Sequence, residues 1–138
     1  MSWEQGQALA PQTYHVTRAD LIAYAGASGD LNPIHWSDRV ATSVGLPGVV
    51  AHGMYTMALA GRALTVWAGD PGRIAELGVR FTRPVLVPDD DTGTTVEVAG
   101  TVTAVEAGVA RVTLTVTVDG VGVLGQARAQ VRVDADHG

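Results

Sequence analysis

Apolar residues recur at helical spacing in the first half of the chain and alternate with polar residues in the second half. Thr17 and Asp20 have the spacing of a capping box, and the apolar positions behind them predict a short helix that ends at Gly26. Asn32, an N-cap residue directly before a proline, predicts a second short helix that ends at Gly45.

A longer stretch, residues 54–68, carries small or apolar side chains on nearly every helical face. Because a helix that is apolar all round is a buried helix, we expect a central helix there. Strands are predicted around residues 14–16, 77–81, 96–102, 112–118 and 121–133, with a tight hairpin turn at Asp119 and Gly120. The expected fold class is α+β, with an antiparallel β-sheet curled around the long helix.

Composition narrows the class of protein further. The 138 residues suffice for one domain, which we expect to span 1–138. With 46% hydrophobic and only 17% charged residues, the chain is not a disordered one. The absence of cysteine excludes disulfides, thiolate metal sites and cysteine nucleophiles. A net charge of −5 without any lysine argues against a nucleic-acid surface.

No targeting or membrane-spanning segment is expected. The N-terminus lacks the basic region and apolar stretch of a signal peptide. The longest weakly polar run, within residues 53–68, is interrupted by Arg62 and is shorter than the roughly 20 residues that a membrane span needs. We therefore expect a soluble, cytoplasmic protein.

A carboxylate and an imidazole lie close together in sequence at Asp30 and His35, on a glycine-flanked turn. Such a pair can hold a water molecule, one group taking its proton while the other gives a proton to substrate. The same spacing also fits a plainer interpretation, in which Asp30 and Asn32 form turns and His35 packs near Trp36.

The second candidate segment is His52-Gly53, at the start of the predicted buried helix. A helix N-terminus presents free N–H groups and partial positive charge, and a glycine lets a substrate carbonyl approach closely. Preorganised donors of this kind stabilise oxyanion or enolate charge. Taken alone, Gly53 could equally serve only to turn the chain, with His52 as an ordinary surface or core histidine.

Together the two segments supply an acid–base pair and an oxyanion donor without a nucleophile. The histidines, at positions 15, 35, 52 and 137, have no metal-ligand spacing, and the chain has no glycine-rich phosphate loop. We therefore expect no metal and no cofactor. Lyase chemistry on an activated carbonyl compound is the reaction class that remains.

Three segments carry a resemblance to a known family. Residues 24–38, which include GDLNPIHW, resemble the hydratase 2 motif of the MaoC-like (R)-specific enoyl-CoA hydratases and (3R)-hydroxyacyl-ACP dehydratases. Residues 50–54 are similar to the motif with which that family begins its central helix, and residues 79–85 to its following strand. Within the family, the chain resembles in particular the catalytic B subunit of the mycolic-type fatty acid dehydratases.

The resemblance implies a hot-dog fold and a hydro-lyase that hydrates trans-2-enoyl thioesters or dehydrates (3R)-3-hydroxyacyl thioesters, carried by CoA or ACP. It implies that Asp30 and His35 are the catalytic pair and that Asn32 orders their loop. It also implies that the Gly53 amide polarises the thioester carbonyl, and that the chain forms a homodimer or a heterodimer with a related hot-dog subunit.

Other residues are expected to contact substrate. His52 and Met54 flank Gly53, and Arg80 and Arg83 could meet the phosphates of CoA or of a carrier-protein arm, or could simply be solubilising charges. Met54, Met57, Leu59 and Trp67 could line an acyl tunnel or be core residues, and core is favoured. The chain departs from the family pattern in an acidic run, residues 89–91, which we interpret as a solvated loop.

Two alternatives from other functional classes stay open. A hot-dog acyl thioesterase would use a carboxylate and similar helix polarisation, but it would not need the Asn-Pro-x-His pairing of residues 32–35. A non-catalytic acyl-binding subunit of a heterodimeric dehydratase would need neither Asp30 nor His35. The three possibilities differ in what is consumed: the double bond, the thioester or nothing.

Overall fold

The computed structural model describes residues 2–133, which form one antiparallel sheet and three α-helices. The strands are β1 (Ala8–Val16), β2 (Ile74–Phe81), β3 (Thr94–Glu106), β4 (Val109–Val118), β5 (Val121–Gly122) and β6 (Leu124–Arg132). The helices are α1 (Arg18–Ser28), α2 (Asp38–Ser43) and α3 (Gly53–Ala68). The main strands lie in the order β1-β3-β4-β6-β2, and β5 pairs with β4.

Helix α1 begins as predicted and ends later than predicted. The Thr17 side chain accepts from the Asp20 amide while the Asp20 carboxylate accepts from the Thr17 amide, so the capping box is confirmed. The predicted end at Gly26 is wrong. The helix runs to Ser28, and its C-cap, Gly29, adopts the left-handed conformation (φ 78°) and donates its N–H to the Ala25 carbonyl at 3.0 Å.

The second predicted helix is two separate elements, so its predicted extent is wrong. Asn32 caps only the short 3₁₀ turn Pro33–His35. Trp36 then leaves helical geometry (φ −150°), and its indole N–H donates to the Leu31 carbonyl at 3.0 Å. Ser37 caps α2 anew by accepting from the Val40 amide.

Helix α3 begins one residue before the predicted stretch and ends at Ala68 as predicted, but the prediction that it is buried on all sides is wrong. Its buried residues share one face, at helical spacing, where they meet the sheet: Thr56, Leu59, Ala60, Ala63, Leu64 and Ala68. Met54 and Val66 are more than half exposed, at 57% and 55%. The sheet covers α3 on one side only, so the exposed apolar residues on the other side, which also carries the exposed Arg62, call for a separate explanation.

The hairpin at Asp119 and Gly120 is confirmed, because both residues have positive φ, 52° and 77°, as a tight two-residue turn requires. The single last strand predicted for residues 121–133 is wrong. It is interrupted at Val123, whose N–H still bonds to β4 while its carbonyl accepts from Thr82. Gln126, with φ 46°, marks an irregularity within β6. The first strand, predicted around residues 14–16, extends back to Ala8.

The core lies between α3 and the face of the sheet that carries the buried valines. Its largest fully buried side chains from these elements are Leu64, Val96, Val98, Val102, Val112, Val116 and Val131. This packing holds α3 firmly against the strands and so determines where its N-terminus lies. Among the described residues, no helix is both long enough and apolar enough to cross a membrane.

Candidate active site

The site forms where the turn at residues 29–35 meets the segment that leads into α3. The Val50 amide donates to the Ile34 carbonyl at 3.1 Å, and the Ala51 amide donates to the Val85 carbonyl at 2.8 Å. These two backbone bonds attach the start of α3 to the turn on one side and to the chain after β2 on the other. The acid–base candidates and the helix N-terminus are thereby brought together.

His35 is buried, and one of its ring nitrogens is already used. Its Nδ1 lies 2.7 Å from the Val50 carbonyl oxygen. Because a carbonyl only accepts hydrogen bonds, Nδ1 carries the proton and the lone pair of the neutral ring is on Nε2. That Nε2 lies 3.8 Å from Oδ2 of Asp30, whose side chain is 52% exposed. The free lone pair of His35 therefore faces a solvent-accessible carboxylate.

The loop that carries Asp30 is ordered by its own short polar side chains. Ser28 Oγ accepts from the Asp30 amide at 3.1 Å, and Asp30 Oδ1 accepts from the Asn32 amide at 3.2 Å. Asn32 Oδ1 in turn accepts from the Ile34 amide at 3.2 Å. Each bond closes a local turn of the kind that Asp, Asn and Ser favour. Asn32 takes part in two of these bonds, and the loop-ordering role that the resemblance implies for it stays a prediction.

His52 lies directly behind the pair and is almost completely buried, with 1% of its surface exposed. Its Nε2 is 3.1 Å from the Asp30 carbonyl oxygen, and its ring is stacked on that of His35 with centroids 3.7 Å apart. The Tyr24 ring packs against the His52 ring in an edge-to-face arrangement, with the two centroids 4.8 Å apart. Nδ1 of His52 has no hydrogen-bond partner among residues 2–133. Nothing in the local spacing of His52 indicated these contacts.

Gly53 is the first residue of α3, and His52 before it makes no side-chain cap. In the described part of the chain, the Gly53 and Met54 amides have no hydrogen-bond acceptor, as expected for the first turn of an uncapped helix. The ring of Phe81 covers this point: a Cβ placed on Gly53 would lie 3.0 Å from Cε1 of Phe81. The free amides, the glycine and an aromatic ring thus meet within one small region.

Two cavities border this region, and both are lined by Gly53 and Phe81. The first measures about 360 Å³ and is mainly apolar, with Ile34, Leu46, Val50 and Leu124 beside His35. The second measures about 490 Å³ and has Tyr24, Ser28, Asp30, His52 and Met54 in its wall. A molecule that reaches Gly53 can therefore extend in two directions.

The predicted substrate-contacting residues are placed unequally. Met54 is exposed and lines the second cavity, and Arg83 lines the first. Arg80 lines neither of these two cavities. Of the residues weighed for an acyl tunnel, Leu59 is a core residue and lines neither cavity. Phe81 was not singled out from the sequence as a site residue, and its only signal was its place in the strand motif.

Asp30, His35 and His52 could each offer one ligand atom to a metal ion, all within 4.8 Å of one another. Their separation along the chain concealed this proximity. Each imidazole directs one nitrogen to a backbone carbonyl, Nδ1 of His35 to Val50 and Nε2 of His52 to Asp30, and this fixes the orientation of both rings. The group consists of two oriented imidazoles beside a carboxylate.

Asp38, which forms an ion pair with Arg18, stabilises the segment before α3 that leads into the site. Oδ1 of Asp38 accepts from the Val49 amide at 3.0 Å and from Arg18 Nη2 at 2.9 Å. The Val49 hydrogen bond, followed by the Arg18 guanidinium, lowers the pKa of the Asp38 carboxyl below its ordinary value. Arg18 also donates to the Val87 carbonyl, so α1, α2 and the segment before α3 are joined at one point.

The chain matches the protein family described as MaoC like domain over residues 3–121. It is 40% identical over 73 residues to 3-hydroxyacyl-thioester dehydratase X of Mycobacterium tuberculosis (strain ATCC 25618 / H37Rv), which covers 53% of this chain and 25% of the relative. Another relative is the fatty acid synthase beta subunit TOXC of Cochliobolus carbonum, 46% identical over 66 residues, 46% of this chain. The chain spans a quarter of the first relative and 3% of the second.

Solved structures agree with this family. A MaoC-like dehydratase superposes with a TM-score of 0.92 at 34% identity, over 96% of this chain and 41% of the other. The unliganded R-hydratase PhaJ1 from Pseudomonas aeruginosa gives a TM-score of 0.80 at 28% identity, over 95% and 82% of the two chains. The expected hot-dog fold is therefore confirmed, and the chain belongs to the MaoC-like domain family.

Proposed function

We propose that this chain is a hydro-lyase that adds water to trans-2-enoyl thioesters and removes water from (3R)-3-hydroxyacyl thioesters in fatty acid metabolism. The observation that carries the proposal is the pair formed by Asp30 and His35, with Nε2 and Oδ2 3.8 Å apart. It lies beside the free amides of α3. Both reacting groups are acceptors toward a water molecule when the carboxylate is ionised and the imidazole neutral.

The chemistry follows from those two acceptors. The thioester carbonyl withdraws electron density and makes C3 of the enoyl chain electrophilic. Water held between Asp30 and His35 gives one proton to a member of the pair as its oxygen bonds to C3. That proton then goes to C2, so the double bond is replaced by a C–O and a C–H bond. Dehydration runs through the same steps in reverse.

Negative charge develops on the thioester oxygen during addition, and a hydrogen-bond donor beside that oxygen would stabilise it. The Gly53 amide is suited to this role because it lies at the N-terminus of α3 without an acceptor in the described chain, and its α-carbon carries no side chain to obstruct the approach. We therefore assign the Gly53 N–H to the carbonyl oxygen, in agreement with the role implied by the family resemblance.

The two cavities suit the two ends of a thioester. The apolar cavity beside His35 fits an acyl chain, and the second cavity leads from Gly53 past Asp30. Relatives named as dehydratases of 3-hydroxyacyl thioesters and structures named as R-hydratases support this substrate class. CoA and acyl carrier protein are both proposed as carriers. Phosphate contacts of Arg80 and Arg83 stay predictions, as does the cytoplasmic location.

We also propose that the chain works as a dimer, with itself or with a related hot-dog subunit. Strand β2 is an edge of the sheet, and Met54 and Val66 on the outer side of α3 are more than half exposed. Unpaired edges and exposed apolar faces favour association. A solved structure with the same fold is that of the ChsH1-ChsH2 complex from Mycobacterium tuberculosis, in which two chains associate.

The test is consumption of the enoyl double bond. Purified protein is mixed with trans-2-enoyl-CoA of increasing chain length, and the loss of enoyl-thioester absorbance is followed. We expect turnover by the wild type and a fall of about 10²–10⁴-fold in Asp30→Asn and in His35→Ala, the usual contribution of a general acid–base group. His15→Gln, at an exposed histidine on β1, is the matched control and should keep full activity.

The possible outcomes separate the functional classes. Release of free thiol without loss of the double bond would identify a thioesterase. Binding of acyl-CoA without turnover, also in the presence of a partner subunit and of acyl carrier protein, would identify an acyl-binding subunit. Full activity in either site variant would remove that residue from the mechanism.

A further inference from the structure

His52 is a buried polar residue of the site that the proposed steps do not use. We propose that His52 is a positioning residue that holds Asp30 and His35 at their working separation. This inference rests on the proposed function. In this role His52 takes no proton from substrate. It acts only through its contacts with Asp30 and His35.

The tautomer of His52 follows from its partner. The Asp30 carbonyl oxygen, 3.1 Å from Nε2, only accepts hydrogen bonds, so the proton of the neutral ring lies on Nε2. Nδ1 is then a buried lone pair, and it has no partner among the described residues. A buried acceptor without a partner destabilises a fold. An apolar ring of similar size would avoid this cost, so stability alone does not account for an imidazole at this position.

His52 contacts each member of the pair in a different way. Its hydrogen bond holds the main chain of Asp30, whose loop is exposed and otherwise closed by short local bonds. Its face packs on the His35 ring, at a centroid distance of 3.7 Å and an interplanar angle of 22°. One buried residue thus supports both the carboxylate and the imidazole from the side away from solvent.

The position of His52 explains why it can hold this geometry. It is the residue directly before α3, and the core packing of that helix leaves its backbone little freedom. The Tyr24 ring also packs against the imidazole, with the two ring centroids 4.8 Å apart. Displacing a reacting group by about 1 Å can lower a rate about 10²-fold. Loss of the support from His52 should therefore appear in kcat.

Two substitutions separate the contacts. His52→Phe keeps a ring to stack on His35 and removes both the donor to Asp30 and the unpaired Nδ1. His52→Gln places an N–H near the position of Nε2 and removes the ring. We expect kcat to fall at least about tenfold in His52→Phe with KM changed far less, because substrate binding is not the affected step. We expect His52→Gln to recover at least about fivefold of that loss, because it restores the donor that positions Asp30.

The unfolding temperature distinguishes positioning from packing. We expect the melting temperature of His52→Phe to stay at or above that of the wild type, while its kcat falls. Equal losses of kcat in both variants that follow a fall in melting temperature would overturn the proposal, as would wild-type kcat in His52→Phe. His15→Gln serves again as the control for removal of a histidine.

A second readout does not depend on turnover. Nitrogen-15 NMR of the imidazoles should show His52 protonated on Nε2 and His35 protonated on Nδ1, and the His35 signals should shift in His52→Phe. The opposite tautomer for His52 would overturn the inference. An inactive wild type that shows both expected tautomers would count against the proposed hydro-lyase function and leave the His52 geometry supported, so the two failures are distinguishable.

Discussion

Gly53 borders both cavities, starts α3 and lies under Phe81, so several constraints apply to one residue. Its missing side chain matters here for access, since its φ is not in the left-handed region. Gly93 is constrained differently: it has φ 61°, and a Cβ there would collide with the Val16 carbonyl. The two glycines allow function and stability to be tested separately.

Gly53→Ala should abolish most activity without unfolding the protein. The new methyl group would lie 3.0 Å from the Phe81 ring and beside the amide that we assign to the thioester oxygen. We expect kcat/KM to fall about 10²–10³-fold, as on loss of an oxyanion donor. Gly61→Ala, in the same helix with its nearest contact at 3.7 Å, is the matched control. It should raise stability by about 0.5–1 kcal/mol and keep activity, and equal activity in both variants would contradict the role of Gly53.

Gly93→Ala should destabilise the fold strongly. Alanine tolerates positive φ poorly, and backbone of β1 rather than a movable side chain blocks its Cβ. We expect a loss of more than about 1 kcal/mol in chemical denaturation, the typical size of such backbone conflicts. Gly120→Ala, which meets no neighbour within 4 Å, isolates the cost of positive φ and should lose less. Equal losses of stability in Gly93→Ala and Gly120→Ala would mean that the backbone shifts so that the new Cβ avoids the Val16 carbonyl.

At the scale of elements, neighbouring residues in the sequence predicted where helices start and where a hairpin turns. They predicted less well where helices end and where a strand is interrupted. The capping box of α1 and the Asp119-Gly120 hairpin depend on residues next to each other in sequence, and both were predictable. The interruption at Val123 was not, because it depends on bonds to β4 and to Thr82 beyond β2. The split after His35 likewise depends on Trp36 and Ser37 forming contacts that compete with a continuous helix.

Asp38 makes the joint between α1, α2 and the segment before α3 depend on pH. Its folded pKa is lowered by the Val49 hydrogen bond and by Arg18, so its contribution to stability is present above the unfolded pKa of about 3.9. That contribution is lost as pH falls through the folded pKa. We expect Asp38→Asn to lower the melting temperature at pH 7, and the difference from wild type to shrink as pH falls below the unfolded pKa and through the lowered folded pKa. A difference that does not change with pH would contradict this assignment.

Arg18→Gln tests the same joint from the other side. It removes the guanidinium that contacts Asp38 and Val87, so we expect a smaller pH-dependent loss than in Asp38→Asn, since the Val49 hydrogen bond remains. The double variant should be less destabilised than the sum of the two single variants, because they share one contact. Strict additivity would show that the two residues act independently.

At the scale of the whole molecule, the prediction and the structure differ most on the outer side of α3. The prediction buried this helix on all sides, whereas its outer side is exposed. Its core side packs on the sheet, whereas Met54, Val66 and the nearby Phe81 are each more than half exposed. Apolar positions on both sides of one helix are consistent with one side packing on the sheet and the other on a second subunit. If the proposed dimer forms, the periodicity predicts the burial of α3 without distinguishing burial against the sheet from burial against a second subunit.

Val66→Glu should therefore weaken the proposed dimer. A charge on this face would be desolvated at the interface, which is unfavourable without a partner. We expect sedimentation velocity to show a dimer for the wild type, or for its complex with a related subunit, and a shift toward monomer for Val66→Glu. Val44→Glu, at an exposed position after α2, should leave association unchanged. Equal effects of the two substitutions would exclude this face of α3 as the interface.

The sequence alone determined the α+β class, the extent of α3, the capping box and hairpin, and the two short segments that contain Asp30, His35 and Gly53. These features depend on periodicity and on neighbours a few residues apart, where the backbone limits the choices. The tertiary structure alone decided that His52 lies under Asp30 and His35, that Phe81 covers Gly53, and that two cavities meet there. Such contacts join remote segments, and they form only when the packing of α3 on the sheet brings those segments together.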